Sequence, residues 1–541
     1  MNVAVDLTPL LPGAENGGAK IFVLSLLRQL IELTPAWHWL LLTSKITHAE
    51  LALIDQGHVK RICVFPRTEG AAPRAHSAIN FLRHSFAKYR SNRDRADTPL
   101  DSASRWKMTE ILHELKADLL FCPFTRPLFH SPGIPTVSVI YDLQYLQYPQ
   151  FFSTNERAER DSNFREAVRF SDQLVCISDF VRNSVLQNSA FPRDRIRTIY
   201  LNLAKRLCEQ TKEDTDRVQS CLGLSEKQYL VYPANGWPHK NHRMLFTAFG
   251  MFLAEKPGTN AILVCTGQFN GQMQELRTEA AHMGLDSQVV FPGYLPDCDF
   301  AALLAGAKGM IFPSLYEGFG MPVLEAMAYG KPVACSNATS LPEVGGQAAL
   351  YFDPRKPEQI VQSMRKIFFE PDLTNDLVQK GRARAEQFSS AELMAEQYLE
   401  VFSRSLRKED VPDGPILNGL TVDGWTHDRI TFSYGASSER RHMEIELMLP
   451  AWSQHPFVLA TRVSAVAEPA TYSITRGKSL LLREKLTYQG GKIEFVIEPL
   501  FQPKALKLGE DSRYLGCRCK GCWLLEGTKR SSLLTHHQDK R

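Results

Sequence analysis

The strongest constraint on this chain is an alternation that runs through it twice. Short runs rich in β-branched and aromatic residues are separated by stretches of helical period. The first series is NVAVD (2–6), HWLLLT (38–43), RICVF (61–65), DLLF (118–121), TVSVI (136–140), QLVCI (173–177) and IRTIY (196–200). AKIFVLSLLRQLIEL (19–33) shows the amphipathic character of the segments between. The series restarts with QYLVYP (228–233), NAILVCTG (260–267), QVVFPG (288–293), GMIFP (309–313), PVACS (332–336) and ALYFD (349–353). Strands separated by helices line up in parallel, with helices on both faces of the sheet. The expected fold class is α/β, with two doubly wound, Rossmann-like domains facing a cleft. In open sheets of this kind, ligands lie beyond the carboxyl ends of the strands.

A chain of 541 residues is too long for one ordinary domain. The first domain is expected over 1–205 and the second over 222–385. Between them CEQTKEDTDRVQSC (208–221) is polar without apolar period, and reads as a join that is helical in part. Closing helices begin near 356, the last of them over 386–408. Beyond RKEDVPDGP (407–415) the text becomes alternating and β-branched from RITFSYG to KIEFVIEP. That predicts an all-β module over 412–525 and a loose tail over 526–541.

Charge excludes one class of partner. Lys and Arg total 63 against 59 Asp and Glu, a net +4 that is too balanced for a nucleic-acid protein. The eleven cysteines show no disulfide framework, which fits a reducing cytosol. MNVAVDLTPL reads as a strand, and no apolar run approaches the ~20 residues that span a bilayer. A cytoplasmic protein is expected, with contact to the inner face of the membrane as an option. Residues 74–107 carry eight Lys or Arg against three Asp. There INFLRHSFAKYRSNR reads either as an amphipathic helix facing anionic lipid or as a solvated insertion.

The most informative stretch is PSLYEGFGMPVLEAMAYGKPV, Pro313 to Val333. It sets Glu317 and Glu325 eight residues apart. A buried strand precedes it. Pro322 suits the first helical position, and Gly330, Lys331 and Pro332 end a helix of about two turns. Glu325 is expected in the first turn and Glu317 in the loop leading in. Gly318 and Gly320 let backbone N–H groups approach a ligand. The helix N-terminus adds N–H donors and partial positive charge. Such a corner suits phosphate oxygens, while a carboxylate accepts two hydrogen bonds from a vicinal diol. A nucleotide sugar carries both. The plain alternative makes Glu325 a capping residue and Glu317 a surface turn. A capping box, however, needs Ser or Thr where Pro322 stands.

EGFGMPVLEA (317–326) resembles the E-x7-E motif of retaining glycosyltransferases of family 4, which have the two-domain GT-B fold. FPGYL (291–295), the stretch 312–354 and PANGWPHKNHRMLFTAF (233–249) agree with it. The resemblance is dense over 229–354, thinner over 1–205 and absent over 410–541. It implies that Glu325 binds the ribose diol of the donor and that Glu317 contacts the donor sugar near the reacting centre. Backbone groups of Gly318, Phe319, Gly320, Met321, Pro322, Val323 and Leu324 are implied to hold the sugar and diphosphate. Lys240 is implied to bind the diphosphate, where a fixed cation stabilises charge on the leaving group. Gly17 and Gly18 are implied to face those phosphates across the cleft. They do not form a P-loop, since Ala19 stands in place of its lysine. No cofactor or metal is expected, and no Asp-x-Asp motif stands out.

The sequence departs from the family pattern twice. Asn235, expected among the donor-binding residues, occupies a position where many members carry arginine, within NGWPHKNH, a wording similar to a subgroup rich in bacterial mannosyltransferases. Tyr141 precedes Asp142 where many members have a His-Asp pair, so the sugar contact implied there falls on Tyr141 and Asp142, with a tyrosine in place of the histidine. The expected function is transfer of a hexose from a nucleoside diphosphate sugar to a glycan or lipid-linked acceptor in surface polysaccharide synthesis. GDP-mannose is the first choice of donor and UDP-sugars the second. The alternative is a catalytically degenerate protein that binds a nucleotide sugar or glycan. Two further features stand apart. CRCKGCW gathers Cys517, Cys519 and Cys522, but a zinc site needs a fourth ligand, so reduced thiols near a β turn are expected. The β module is loosely similar to accessory modules of surface-polysaccharide proteins, with a sugar-binding or purely structural role.

Overall fold

The computed structural model describes residues 1–12, 18–55, 57–65, 111–131, 133–203, 210–255, 258–268, 272–406, 416–420, 426–434, 440–451, 457–463, 470–486, 491–498, 517–526 and 529–532. Gly17 and the basic stretch 74–107 lie outside them. The chain forms two compact units. Met1–Phe129 with Thr136–Ser403 make up the first, and His130–Pro135 with Arg404–Arg541 the second.

The first unit holds two parallel sheets and has the GT-B fold. One sheet contains β1 (Asn2–Asp6), β2 (His38–Ser44), β3 (Val59–Phe65), β4 (Leu119–Cys122), β5 (Thr136–Ile140), β6 (Gln173–Cys176) and β7 (Ile196–Thr198), in the order β3-β2-β1-β4-β5-β6-β7. The pairings are parallel throughout. β4, β5 and β6 are buried at every residue. Burial on both faces explains why they read as continuous apolar runs. Helices α1 (Gly18–Leu33), α2 (Thr154–Phe170) and α3 (Asp179–Asn188) belong to this layer. A Ser153–Glu156 capping box starts α2, and the Ser178 hydroxyl caps α3 by accepting the Val181 N–H.

The join becomes helix α4 (Lys212–Cys221), started by a Thr211–Asp214 capping box. The second sheet contains β8 (Gln228–Pro233), β9 (Ala261–Thr266), β10 (Val289–Gly293), β11 (Gly309–Phe312), β12 (Val333–Ser336) and β13 (Ala349–Phe352). Their order is β10-β9-β8-β11-β12-β13, again all parallel. α5 (His242–Glu255) follows β8, α6 (Met321–Ala328) follows β11 and α7 (Leu341–Gly345) follows β12. Three closing helices come next: α8 (Pro357–Phe369), α9 (Pro371–Glu386) and α10 (Ala391–Leu406). α10 packs on the first sheet. Tyr398 and Phe402 are fully buried, with ring centroids 5.7 and 5.1 Å from that of Phe121 in β4.

The second unit is antiparallel. β14 (Ile416–Leu420), β15 (Thr426–Tyr434), β17 (Phe457–Val463), β18 (Ala470–Thr475) and β20 (Gly491–Glu498) form one sheet. β16 (Arg441–Met448), β19 (Ser479–Lys485), β21 (Arg518–Glu526) and β22 (Lys529–Ser532) form the other. Ile430, Phe432, Met443, Ile445, Leu447 and Ile497 sit in a core that both sheets share.

Three expectations are corrected here. Residues 529–532 are not a loose tail, because they pair antiparallel with β21. Cys519 and Cys522 lie inside a strand, and with Cys517 they belong to the apolar core. Burial pushes the Cys517 thiol up to about 12. Finally, Cys298 is disulfide-bonded, whereas the other described cysteines are thiols. Among the described residues no helix is long and apolar enough to cross a membrane.

Candidate active site

The second sheet reverses its order between β8 and β11, which are neighbours with Gly309 opposite Leu230. Loops leaving these two strands diverge and open a crevice at the switch point. One loop carries Lys240 and the other Glu317. The Lys240 ammonium donates to Glu317 Oε1 at 2.6 Å, and the two side chains are only 13% and 12% exposed. Sequence positions 77 residues apart thus become one ion pair.

Local structure holds each partner in place. After β8 the chain makes one 3-10 turn, Pro238–Lys240, ended by Asn241 in the left-handed region at φ 64°. The Tyr232 hydroxyl donates to the Lys240 carbonyl. Asn241 Nδ2 donates to the carbonyls of Pro313 at 3.1 Å and Pro354 at 2.8 Å, tying together the loops after β8, β11 and β13. Burial, then the neighbouring Lys240, Arg160 and His242, push His239 down to about 2. Burial and Lys240 likewise lower His242 to about 4. Both imidazoles are therefore neutral at physiological pH and add no charge beside Lys240.

On the other loop, the Glu317 N–H donates to Thr339 Oγ1 at 3.0 Å. Ser340 Oγ donates to the carbonyls of Glu317 at 2.9 Å and Phe319 at 2.8 Å. Gly320 begins α6 at φ 113°, and a Cβ there would strike the Leu341 side chain at 2.5 Å. Pro322 lies in the first turn, as its missing N–H requires. At the far end Gly330 has φ 65°, and the Lys331 N–H returns to the Ala326 carbonyl at 2.9 Å, a Schellman closure. Glu325 is the fifth residue of α6. It is therefore not in the first turn as expected, but starts the second, where it is 4% exposed. Val323 and Leu324 are fully buried and anchor the helix, so only backbone remains for a ligand. The Phe319 ring also points inward, against Tyr200 at 6.2 Å and Phe388 at 5.8 Å. Met321 and Pro322 are half-buried.

The carboxyl edge of the first sheet meets this loop directly. A Cβ on Gly318 would lie 2.2 Å from the Tyr141 carbonyl oxygen, so only glycine permits the approach. The Ser178 hydroxyl donates to the Gly318 carbonyl at 2.7 Å. The Tyr141 side chain does not share in this contact. Its ring meets Phe22 edge-on at 6.2 Å, and its hydroxyl is buried with no hydrogen-bond partner among the described residues. Burial raises its pKa far above that of a free phenol. Asp142 Oδ1 accepts the Gln144 N–H at 2.9 Å. Asn235 Oδ1 accepts the Gln268 N–H at 2.9 Å and so braces the loop after β9. Gly18 opens α1 with space around it, so nothing steric demands glycine there.

Sequence reading overlooked Asn241, Thr339, Ser340 and Ser178, which position the ion pair and its loop. One signal was available. Asn after a helical turn is a residue that tolerates the left-handed region. Ser and Thr ahead of LPE gave only a generic turn signal.

Residues 216–384 match the family described as glycosyl transferases group 1, and residues 46–201 match glycosyltransferase family 4. The O-antigen chain mannosyltransferase B of Escherichia coli is 29% identical over 287 residues, covering 52% of this chain and 75% of that one. The serotype-specific mannosyltransferase WbdA of Escherichia coli is 30% identical over 303 residues, covering 53% of this chain and 36% of that one. The crystal structure of Anabaena HepE in complex with UDP and glucose superposes with a TM-score of 0.55 at 18% identity, covering 75% of this chain and all of that one. That likeness shows a shared fold. The matches together support a glycosyltransferase of group 1 on the GT-B fold.

Proposed function

We propose that this glycosyltransferase retains configuration and moves a hexose from a nucleoside diphosphate sugar to a glycan or lipid-linked acceptor, in the synthesis of a surface polysaccharide. The observation that carries the reading is the Lys240–Glu317 pair at 2.6 Å, held at the switch point of the second sheet. The mannosyltransferase names of the two E. coli relatives favour mannose, and GDP-mannose is the proposed donor.

The donor lies along the mouth of β8 and β11. Its ribose diol is taken by Glu325, its diphosphate by Lys240 and the backbone at the start of α6, and its sugar by Glu317. As the C1–phosphate bond breaks, negative charge grows on the departing phosphate, and Lys240 stabilises it more than it stabilised the bound donor. The acceptor hydroxyl attacks C1 from the face the phosphate leaves. A new C1–O bond forms, and the hydroxyl proton passes to a phosphate oxygen. The lysine supplies the charge, so no divalent metal is needed. Contact between Gly318 and the edge of the first sheet excludes water from the reacting centre.

A second reading, a donor-binding protein without turnover, is motivated by Tyr141, whose hydroxyl is buried where the resembled family pattern would have a histidine. One experiment separates the two. The chain is screened by thermal shift against GDP- and UDP-sugars. Release of nucleoside diphosphate is then followed with acceptor, with and without EDTA. GDP-mannose should give the largest shift, with release undiminished by EDTA. A large shift with no release for any donor and acceptor pair would favour the second reading.

A further inference from the structure

Glu343 lies outside every donor contact assigned above, yet its carboxylate reaches across to the first sheet's layer. It sits on the short helix α7 after β12. Its Oε1 accepts the Asp179 N–H at 2.6 Å and its Oε2 the Phe180 N–H at 3.0 Å. These two amides open α3, where a helix leaves N–H groups without intrahelical partners and carries partial positive charge. Each carboxylate oxygen thus takes one of them. The mount behind it is firm. Arg384 of α9 donates to the carbonyl of Glu343 at 2.6 Å and of Val344 at 2.9 Å. The front is shared with the catalytic loop. Ser178, immediately before α3, donates to the Gly318 carbonyl at 2.7 Å, one residue from Glu317. Tyr200 donates to Asp179 Oδ2 at 3.3 Å, and burial first, then Glu343 and Asp179, raise its pKa.

We infer that Glu343 is a positioning residue. By capping α3 from the opposite domain it closes the cleft and, through Ser178 and Gly318, sets Glu317 against the donor sugar. The inference rests on the transferase reading for its kinetic effect, though not for the contact itself. Removing the carboxylate leaves donor affinity to the second sheet's own residues, but makes the closed, reactive arrangement rarer. A charge-assisted hydrogen bond of this kind is worth enough to shift such an equilibrium about tenfold.

The test uses the full chain as Glu343→Ala, Glu343→Gln and Ser178→Ala. Hydrogen exchange at the Asp179 and Phe180 amides should be about tenfold faster in Glu343→Ala, whether or not turnover is detected. kcat should fall about tenfold, equivalent to ~1.4 kcal/mol. Donor Kd should stay within about twofold and the melting temperature within about 2 °C. Glu343→Gln keeps one acceptor oxygen and should recover kcat to within about threefold of the parent. Ser178→Ala should show the same split between kcat and Kd, and it carries the test if Glu343→Ala fails to fold. Unchanged amide exchange would overturn the inference. So would a loss of kcat that tracks melting temperature and is not rescued by Gln. A parent chain that shows protected amides and no turnover refutes the transferase reading alone.

Discussion

The two sheets of the first unit reverse their strand order in the same way, yet their carboxyl edges carry different chemistry. At the second switch point a lysine and a glutamate pair in a nearly dry corner, and helix α6 starts four residues after that glutamate. At the first, between β1 and β4, stands Asp6, 1% exposed. Its Oδ1 accepts from the Thr8 N–H at 3.0 Å and the Thr8 hydroxyl at 2.6 Å, while Oδ2 is buried without a hydrogen-bond partner among the described residues. Burial lifts its pKa to about 6 despite Thr8 and Arg126. Arg126 is itself engaged in a two-pronged pair with Glu166 at 2.9 and 3.2 Å. The contrast teaches a division of labour. Under the proposed mechanism, charge that meets a leaving phosphate is built on one sheet. The other offers backbone carbonyls, a serine and a helix start, groups suited to docking against a loop.

If that division holds, losses should be graded. Lys240→Ala should cost most, lowering kcat about 10²–10³-fold, the range for removing one preorganised electrostatic group. Nucleoside diphosphate release measures it. Glu325→Ala should instead act on binding and weaken donor Kd roughly 10- to 100-fold by calorimetry, as expected for losing a charged acceptor. Equal affinity and rate in both variants would erase the distinction between leaving-group and ribose roles. Gly318→Ala tests the docking half. Its new methyl must push the Tyr141 carbonyl away, a strain of about 1–3 kcal/mol, so kcat should fall roughly 5- to 150-fold with donor Kd little changed. Asp6→Asn should have the smallest effect, on stability. A carboxyl whose folded pKa is raised from 3.8 to about 6 opposes folding once ionised. Its penalty is absent below pH 3.8, grows as pH rises and is complete above about 6. The variant should therefore melt about 2–5 °C higher at pH 8 and no higher at pH 3.5. A gain that persists in acid would point to packing instead.

Much of this was legible in the residues. Buried parallel strands are contiguous apolar runs, so β1, β5 and β8 begin and end where Asn2–Asp6, Thr136–Ile140 and Gln228–Pro233 were read. Pro322 and Gly330 bracketed α6 because each acts on its own backbone. What escaped depends on distance or direction. The contact of Glu343 with Asp179 spans 164 residues and has no local signature. The turn of Tyr141 toward Phe22 is a side-chain orientation, which strand pattern alone leaves open at the end of a strand. KRSS lacks strong strand formers, and its place in β22 follows from pairing with β21 rather than from propensity.

The last helix of the first unit has a practical corollary. Because Tyr398 and Phe402 lie over Phe121 and Phe22, the first sheet's layer borrows part of its roof from residues two hundred or more positions beyond its own last strand. Residues 1–205 produced alone would leave that aromatic patch wet and sticky. Adding a separately made 391–406 peptide should quiet it, because the missing tile is continuous in sequence.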